Sequence, residues 1–181
     1  MSFIIRNDLN STLNDTDINK MASDDYTLQI VIKKAIEEVK SYIQHRYDVD
    51  LVFTEMTIYD NSVTYVVNDN VYFNEKYYVN ILESTANYPT NTTYFTEIDD
   101  PRDQSILDIT CIIAIYYLFR RITPRITPKW IVSEYDRVRD DLKAYQKGTR
   151  TIILPVNEDS DGDEEGHRIT YTSETQKDWN F

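Results

Sequence analysis

The amino-acid sequence predicts an α+β fold, with a mainly helical body of three helices, an inserted small β-rich subdomain and an extended acidic C-terminal tail. Two stretches with apolar residues at helical spacing enclose a stretch rich in Val, Ile, Thr, Tyr and Phe, and the chain ends in polar and acidic residues. We therefore divide the chain into residues 1–50 (N-terminal segment and first long helix), 51–100 (β-rich insert), 101–155 (helical hairpin and short strand) and 156–181 (acidic extension).

The first long helix is predicted over residues 24–46, after a short extended piece and one or two helical turns. Ser23 is the expected N-cap, and Asp24 and Asp25 lie in the first turn, where negative charge favours the helix dipole. Apolar residues recur at helical spacing while charged residues occupy the other face, which indicates an amphipathic helix packed on a core. The predicted buried face consists of Leu28, Ile32, Ala35, Ile36, Val39 and Ile43.

The β-rich insert is predicted to contain a hairpin and a third strand. The sequences TYVV (64–67) and VYF (71–73) flank NDN (68–70), and asparagine tolerates the left-handed backbone of a tight turn. YYVNILEST (77–85) is the expected third strand, and NYPTNTT (87–93) is typical of a loop.

The second and third helices are predicted to form a hairpin. Residues 102–121 are apolar nearly all round, which is typical of a helix buried on several sides. A proline-rich loop leads to Pro128, which suits the first position of the third helix, and Gly148 ends that helix. TRTIILP (149–155) is the expected short strand. The predicted buried stripe of the third helix consists of Trp130, Ile131, Tyr135, Val138, Leu142 and Tyr145.

The composition argues against the common enzyme classes. The three glycines of the chain, Gly148, Gly162 and Gly166, cannot supply a dinucleotide-binding or phosphate-binding loop. The single cysteine, Cys111, allows no intrachain disulfide and no thiolate zinc cluster. Its apolar neighbours indicate a small buried side chain rather than a nucleophile. We therefore expect no catalytic residue, no cofactor and no metal.

The chain lacks the sequence features typical of secretion or of a membrane span. Residues 1–5 have no basic start and no long apolar run. The longest apolar segment, 106–119, is too short to cross a bilayer and contains Asp108. We therefore expect a soluble, intracellular protein without a membrane partner.

One acidic stretch resembles part of a calcium-binding loop. NEDSDGDEEGHR (157–168) places oxygen ligands at positions 1, 3 and 5 and Gly162 at the turn position of an EF-hand. Arg168 stands where that loop needs a closing glutamate, and the preceding residues do not predict a helix. We interpret the stretch as a solvated acidic tether rather than a metal site.

The net charge of −12 is unevenly distributed. In the third helix, acidic residues lie at pairing distance from basic ones, which predicts a salt-bridged outer face. The loop before that helix is less neutralised and is the better candidate for a partner, and the tyrosine-rich insert favours a protein interface. The tail ends in two aromatic residues that either dock on a neighbouring subunit or form a loose terminus. The predicted interface residues are Arg120, Arg121, Arg125, Lys129, Trp179 and Phe181.

Three helical motifs match the pattern of a known family. They are AIEEVKSYIQHRYDV (35–49), DPRDQSILDIT with IYYLF (100–119), and YDRVRDDLKAYQKGTRTIILP (135–155) after a proline-rich turn. With these motifs, residues 2–50 and 100–155 resemble the head-to-tail connector proteins (head-completion, adaptor or neck-ring proteins) of tailed bacteriophages. The insert is larger than in the small adaptors, an elaboration that would fit a ring protein of a crAss-like phage.

The resemblance implies a structural virion protein, made in the host bacterial cytoplasm and located in the phage neck. Such proteins form a homo-oligomeric ring, commonly twelvefold, that joins the portal protein to the next neck ring or to the tail, and DNA passes through the lumen. It also implies that residues 156–181 reach a neighbouring subunit. The alternative, suggested by the net charge, is a small acidic phage-encoded inhibitor or DNA mimic acting on a host DNA-binding enzyme.

Overall fold

The computed structural model describes residues 2–22, 24–122 and 127–157, and the fold is α+β, as the sequence predicts. In these residues, five α-helices and one short 3₁₀ helix form the largest part of the structure, and six short strands form two small sheets. All six strands lie between the third and fourth α-helices in the chain, so the β-rich part is an insert in a helical body.

The N-terminal segment contributes to the core of the body. Ser2 forms a single β-bridge with Met56, and the 3₁₀ helix Arg6–Ser11 and helix α1, Asp15–Met21, follow. The Asn14 side chain caps α1 by accepting a hydrogen bond from the third backbone amide of the helix at 2.9 Å. The buried side chains of the segment include Phe3, Ile4, Ile5, Leu9, Leu13 and Ile18.

Helix α2, Asp25–Ile43, is the first long helix of the prediction. Its N-cap is Asp24, whose side chain accepts a hydrogen bond from the Thr27 amide at 2.6 Å. The predicted cap, Ser23, lies outside the described residues. The predicted apolar face is buried, apart from the half-buried Ile36.

The end of α2 meets the chain that follows the last helix. Residues 44–46 form a turn instead of continuing α2, and the Asp48 side chain caps the short helix α3, Val49–Val52. The predicted strand at 149–155 is not a strand. At its end, the Pro155 carbonyl accepts a hydrogen bond from the Asp48 amide at 2.9 Å, and the next residue, Val156, forms a single β-bridge with Tyr47. A strand needs a neighbouring strand with free backbone groups, and the segment passes a helix end instead.

Helices α4, Gln104–Ile122, and α5, Lys129–Lys147, pack with α2 to form the three-helix body. The first half of α2 meets the end of α4 and the start of α5, so α4 runs antiparallel to both other helices. As predicted, α4 is buried on several sides. Its buried residues are Ile106, Leu107, Ile109, Thr110, Cys111, Ile113, Ala114, Ile115 and Leu118.

Helix α5 confirms the predicted stripe at all positions except its first. Trp130 is 46% exposed and contacts Phe119 edge-on. Its neighbour Ile131 faces the core, and successive helical residues point in different directions, so Trp130 cannot face the core as well. Gly148 ends α5 in the left-handed conformation, with φ of 69°, as predicted. The buried residues of α5 are Ile131, Tyr135, Val138, Leu142 and Tyr145.

The insert consists of two sheets around a hydrophobic cluster of its own, separate from the core of the body. The larger sheet has the order β1-β3-β4-β6, with β1 parallel to β3 and the other pairs antiparallel, and β2 pairs with β5 in the smaller one. Tyr65, Val71, Tyr78 and Phe95 are the buried residues of the cluster. The strands are Thr57–Ile58 (β1), Thr64–Tyr65 (β2), Asn70–Phe73 (β3), Lys76–Asn80 (β4), Ser84–Thr85 (β5) and Phe95–Ile98 (β6).

The predicted hairpin around residues 68–70 is wrong. The hairpin joins β3 to β4, and its two-residue turn is Asn74-Glu75, where both residues have a positive φ, the geometry of a type I′ turn. Asn68 also has a positive φ, but its turn leads from β2 to β3, which lie in different sheets. The predicted third strand at 77–85 is divided between β4 and β5.

Candidate interaction groove

The structure places part of the predicted interface at the end of α4. Arg120 and Arg121 are exposed in its last turn, and Lys129 is exposed at the first position of α5. The other predicted interface residues, Arg125, Trp179 and Phe181, lie outside the described residues. Of the described three, the structure brings Arg120 and Arg121 together in one groove.

The groove lies between α2, α4 and α5 and has a volume of about 460 Å³. Helix α2 contributes residues from its first half, α4 contributes its last two turns, and α5 contributes one tyrosine. Besides Arg120 and Arg121, the lining includes Ile30, Lys34, Tyr116, Tyr117 and Tyr135.

Three tyrosines line the groove, and two of them are bound to a carboxylate behind its lining. The rings of Tyr116 and Tyr135 are stacked, with centroids 3.7 Å apart and planes 6° apart. The hydroxyls of Tyr117 and Tyr135 both donate hydrogen bonds to the Glu38 carboxylate, that of Tyr135 at 3.0 Å. Burial, together with nearby Glu38, raises the pKa of Tyr135 to about 12, so its hydroxyl keeps its proton at neutral pH and remains a donor.

Three cations of the groove have no ion-pair partner among the described residues. The Lys34 Nζ lies 3.9 Å from the centre of the Tyr117 ring. Arg120 donates a hydrogen bond to the Tyr116 hydroxyl at 3.0 Å, and Arg121 lines the rim. Aromatic rings attract cations but do not neutralise their charge. The groove is therefore positively charged in a chain whose net charge is −12.

The outer face of α5 differs from the groove, since its cations are paired. Arg137 bridges Glu134 and Asp141, at 2.8 and 3.3 Å. Lys143 pairs with Asp140 at 2.8 Å. The salt-bridged outer face predicted from the sequence is thus present between residues 134 and 143.

A second arginine cluster, which the sequence analysis did not identify, lies at the other end of α4. Arg102 is 5% exposed, and its guanidinium donates to both carboxylate oxygens of Asp8, at 2.6 and 3.1 Å, and to Asp100 at 2.8 Å. It also donates to the Phe3 carbonyl at 2.8 Å and to the Tyr77 hydroxyl at 3.3 Å. We call Asp8, Tyr77, Asp100 and Arg102 the Arg102 cluster. It joins the N-terminal segment, the insert and the start of α4.

The electrostatics of the Arg102 cluster are those of a structural site. Burial alone would raise the pKa of Asp100, but hydrogen bonds from the Arg102 side chain and amide outweigh it, and the pKa lies below its ordinary value. Burial alone would lower the pKa of Arg102, but hydrogen bonds with Asp100 and Asp8 raise it. The Asp100–Arg102 pair is therefore ionised at neutral pH.

The insert presents a group of exposed aliphatic side chains, which we name the aliphatic patch. Its members lie in two connections, one between β2 and β3 and one between β4 and β5. A hydrogen bond from the Asn68 amide to the Asn80 carbonyl, at 2.8 Å, holds the two connections side by side. Clustered exposed aliphatic residues are typical of protein interfaces. The patch consists of Val66, Val67, Ile81 and Leu82, each about half exposed.

The remaining candidate residues have structural environments. Cys111 is buried and burial raises the pKa of its thiol, which makes it a poor nucleophile at neutral pH. Of the calcium-like stretch 157–168, the structure describes Asn157, whose side-chain amide donates to the Gln44 carbonyl at 2.9 Å. The described residues contain no group of three or more side chains that could hold a metal ion. In the same part of the chain, no helix is long and apolar enough to cross a membrane.

Comparisons of the chain with protein-family models, curated proteins and solved structures found no match. What the protein does is therefore inferred from its surfaces.

Proposed function

We propose that this chain is a structural connector protein that forms a head-to-tail ring in the neck of a tailed phage and joins the portal protein to the next neck ring or to the tail. Two features support the proposal. The helical segments resemble that family, and the body and insert carry two exposed surfaces of different chemistry, the groove and the aliphatic patch. A connector of this kind acts as a virion component without a catalytic residue, cofactor or metal.

The observation that carries the proposal is the position of the two surfaces relative to α4. The groove lies at the last turns of α4, whereas the insert with its aliphatic patch is joined to the start of α4 through the Arg102 cluster. At 1.5 Å per residue, Gln104 and Arg121 lie about 25 Å apart along the helix axis. A head-to-tail ring requires two different surfaces on each subunit, while a twofold dimer uses the same surface twice.

The charge and the tail suit the same proposal. An acidic surface along the lumen of a ring repels the phosphates of DNA, so the genome passes without specific binding. Trp179 and Phe181 are large side chains of the type that anchors one chain on another, and they would hold the extension 156–181 on a neighbouring subunit.

The test is the mass of the purified full-length protein in native mass spectrometry, alone and with portal protein. We expect a high-order ring whose mass is a multiple of the 21.4 kDa chain, and we expect the chain among the proteins of purified virions. A double substitution in the aliphatic patch, V67K with L82K, should yield folded smaller species, because each charge blocks burial of the patch.

Two results would contradict the connector. One is a wild-type monomer that does not bind portal protein under any assembly condition. The other is a monomer or dimer that inhibits a host nuclease, which would favour the acidic inhibitor or DNA mimic. The exposed cations Arg137 and Lys143 supply the matched control, because replacing both with glutamine should leave the ring intact.

A further inference from the structure

The three cations of the groove have a natural counterpart in the same chain. Lys34, Arg120 and Arg121 have no ion-pair partner among the described residues, although the chain has an excess of acidic side chains. The densest run of carboxylates in the sequence is the stretch directly after the described residues. Its members are Glu158, Asp159, Asp161, Asp163, Glu164 and Glu165.

The starting point of this stretch is fixed at the end of α2. The Asn157 side chain donates to the Gln44 carbonyl at 2.9 Å, and the Asn157 amide donates to the Arg46 carbonyl at 3.2 Å. Lys34 lies on α2, ten positions before the C-cap residue Gln44, which corresponds to roughly 15 Å. An extended chain advances roughly 3.3 Å per residue, so about five residues cover that distance.

We propose that the acidic segment 158–165 binds in the groove of its own chain, with its carboxylates facing Lys34, Arg120 and Arg121. Tethering makes this binding intramolecular, at an effective concentration on the order of millimolar. Carboxylates carry the negative charge that would pair with the groove cations. The hydrogen bond from Arg120 to the Tyr116 hydroxyl already orients that arginine within the groove. The segment therefore covers the groove, and any other ligand of the groove has to displace it.

Nucleic acid is the other polyanion that a basic, tyrosine-lined groove could attract. The observations favour the acidic segment. The net charge of −12 repels a phosphate polymer that approaches from solution, whereas the segment is covalently held beside the groove. A volume of about 460 Å³ accommodates a few side chains of a peptide. In the proposed ring, a neighbouring subunit that binds in the groove displaces the segment, and the contact within one chain is tested without assembly.

The experiment measures binding of a trace amount of a fluorescein-labelled peptide of residues 157–168 to three full-length proteins and one matched control, each titrated to millimolar concentration. The first is the wild type. The second is the tail-neutral chain, in which the six carboxylates are replaced (E158Q, D159N, D161N, D163N, E164Q, E165Q). The third adds R120Q and R121Q to the tail-neutral chain. Its matched control adds R137Q and K143Q instead, which changes the charge equally on the outer face of α5.

In the wild type, the tethered segment competes with the peptide for the groove. If the peptide Kd is on the order of 0.1 mM and the effective concentration of the segment is millimolar, the tail-neutral chain should bind the peptide about tenfold more tightly than the wild type. The R120Q/R121Q protein should lose this binding, the R137Q/K143Q protein should retain it, and raising the salt concentration should weaken it. A peptide with the same six carboxylates amidated should not bind.

Three outcomes would overturn the inference. The first is equal peptide binding by the wild-type and tail-neutral chains. The second is binding that survives R120Q/R121Q while circular dichroism shows an intact fold. The third is a tail-neutral chain that binds a labelled twelve-nucleotide single strand but not the peptide. The peptide titration tests the contact within the groove, and native mass spectrometry tests ring formation, so each proposal can fail without the other.

Discussion

The two ends of α4 hold arginines in opposite environments. At its start, Arg102 is buried and its guanidinium is bound by Asp8, Asp100 and a backbone carbonyl. At its end, Arg120 and Arg121 are exposed and have no ion-pair partner among the described residues. The same residue type thus serves two purposes at the two ends of one helix. A paired and desolvated arginine fixes the fold, whereas a hydrated one without an ionic partner remains able to bind a ligand.

The largest effect is expected for Arg102→Ala. The substitution leaves Asp8 and Asp100 without the cation that faces them inside the protein, and we expect the free energy of unfolding to fall by about 3–5 kcal/mol. Urea denaturation followed by circular dichroism measures the change. Arg137→Ala removes exposed ion pairs and is the matched control, with an expected loss below about 1 kcal/mol. Equal losses would remove the distinction between buried and exposed arginines.

A smaller, pH-dependent effect is expected for Asp100→Asn. At neutral pH the variant lacks the charged hydrogen bonds to Arg102 and should lose about 2 kcal/mol. Because the pKa of Asp100 is lowered in the folded protein, its contribution is complete above the ordinary value of 3.8 and is lost as the pH falls through the folded value. The difference between wild type and variant should therefore shrink below about pH 4. A constant difference down to pH 2 would contradict the role of the pair.

The tyrosines of the groove sharpen the comparison. The carboxylate that binds two of their hydroxyls supports the fold, whereas the cations of the groove do not. Glu38→Ala removes the acceptor of two tyrosine hydroxyls, and we expect a loss of about 1–3 kcal/mol in the free energy of unfolding. Glu38→Gln keeps one acceptor oxygen and should lose less. If thermal denaturation shows the two variants to be equally stable, the hydrogen bonds from Tyr117 and Tyr135 contribute nothing specific.

The smallest effect on stability is expected at the open end of α4. Replacement of Arg120 and Arg121 by glutamine removes no ion pair of the described structure and should change the free energy of unfolding by less than about 0.5 kcal/mol. The same double substitution should abolish ligand binding by the groove. A loss of stability comparable to that of Arg102→Ala, measured in the same urea titration, would show that the groove arginines are part of the fold.

The sequence predicts the helical body well because helical periodicity is a local signal. The buried faces of α2 and α5 follow from apolar spacing, and Gly148 marks the end of α5. The strand pairing could not be predicted in the same way. Asn68 and Asn74 both mark turns with a left-handed backbone, and the residues around them do not determine which turn joins paired strands. That choice is made by packing around the buried cluster of the insert.

The sites show the same limit. Arg120 and Arg121 could be selected from the sequence because acidic residues are missing around them. Lys34 and Tyr135 could not, since they join the groove from helices distant in sequence. Arg102 stands in the acidic sequence DPRD, which has the ordinary appearance of a helix start, and its partner Asp8 lies 94 positions earlier. Contacts of such separation leave no local pattern.

The Arg102 cluster also has a consequence for the order of events during synthesis of the chain. The Phe3 carbonyl is synthesised before its partner Arg102, which follows 99 positions later. At about 5–20 residues per second, that separation corresponds to roughly 5–20 s of translation. Phe3, Ile4 and Ile5 are buried in the finished protein, so during this interval the nascent chain presents an apolar segment that is not yet covered. This segment therefore waits for a partner that is made much later, and a chaperone could bind it during that interval.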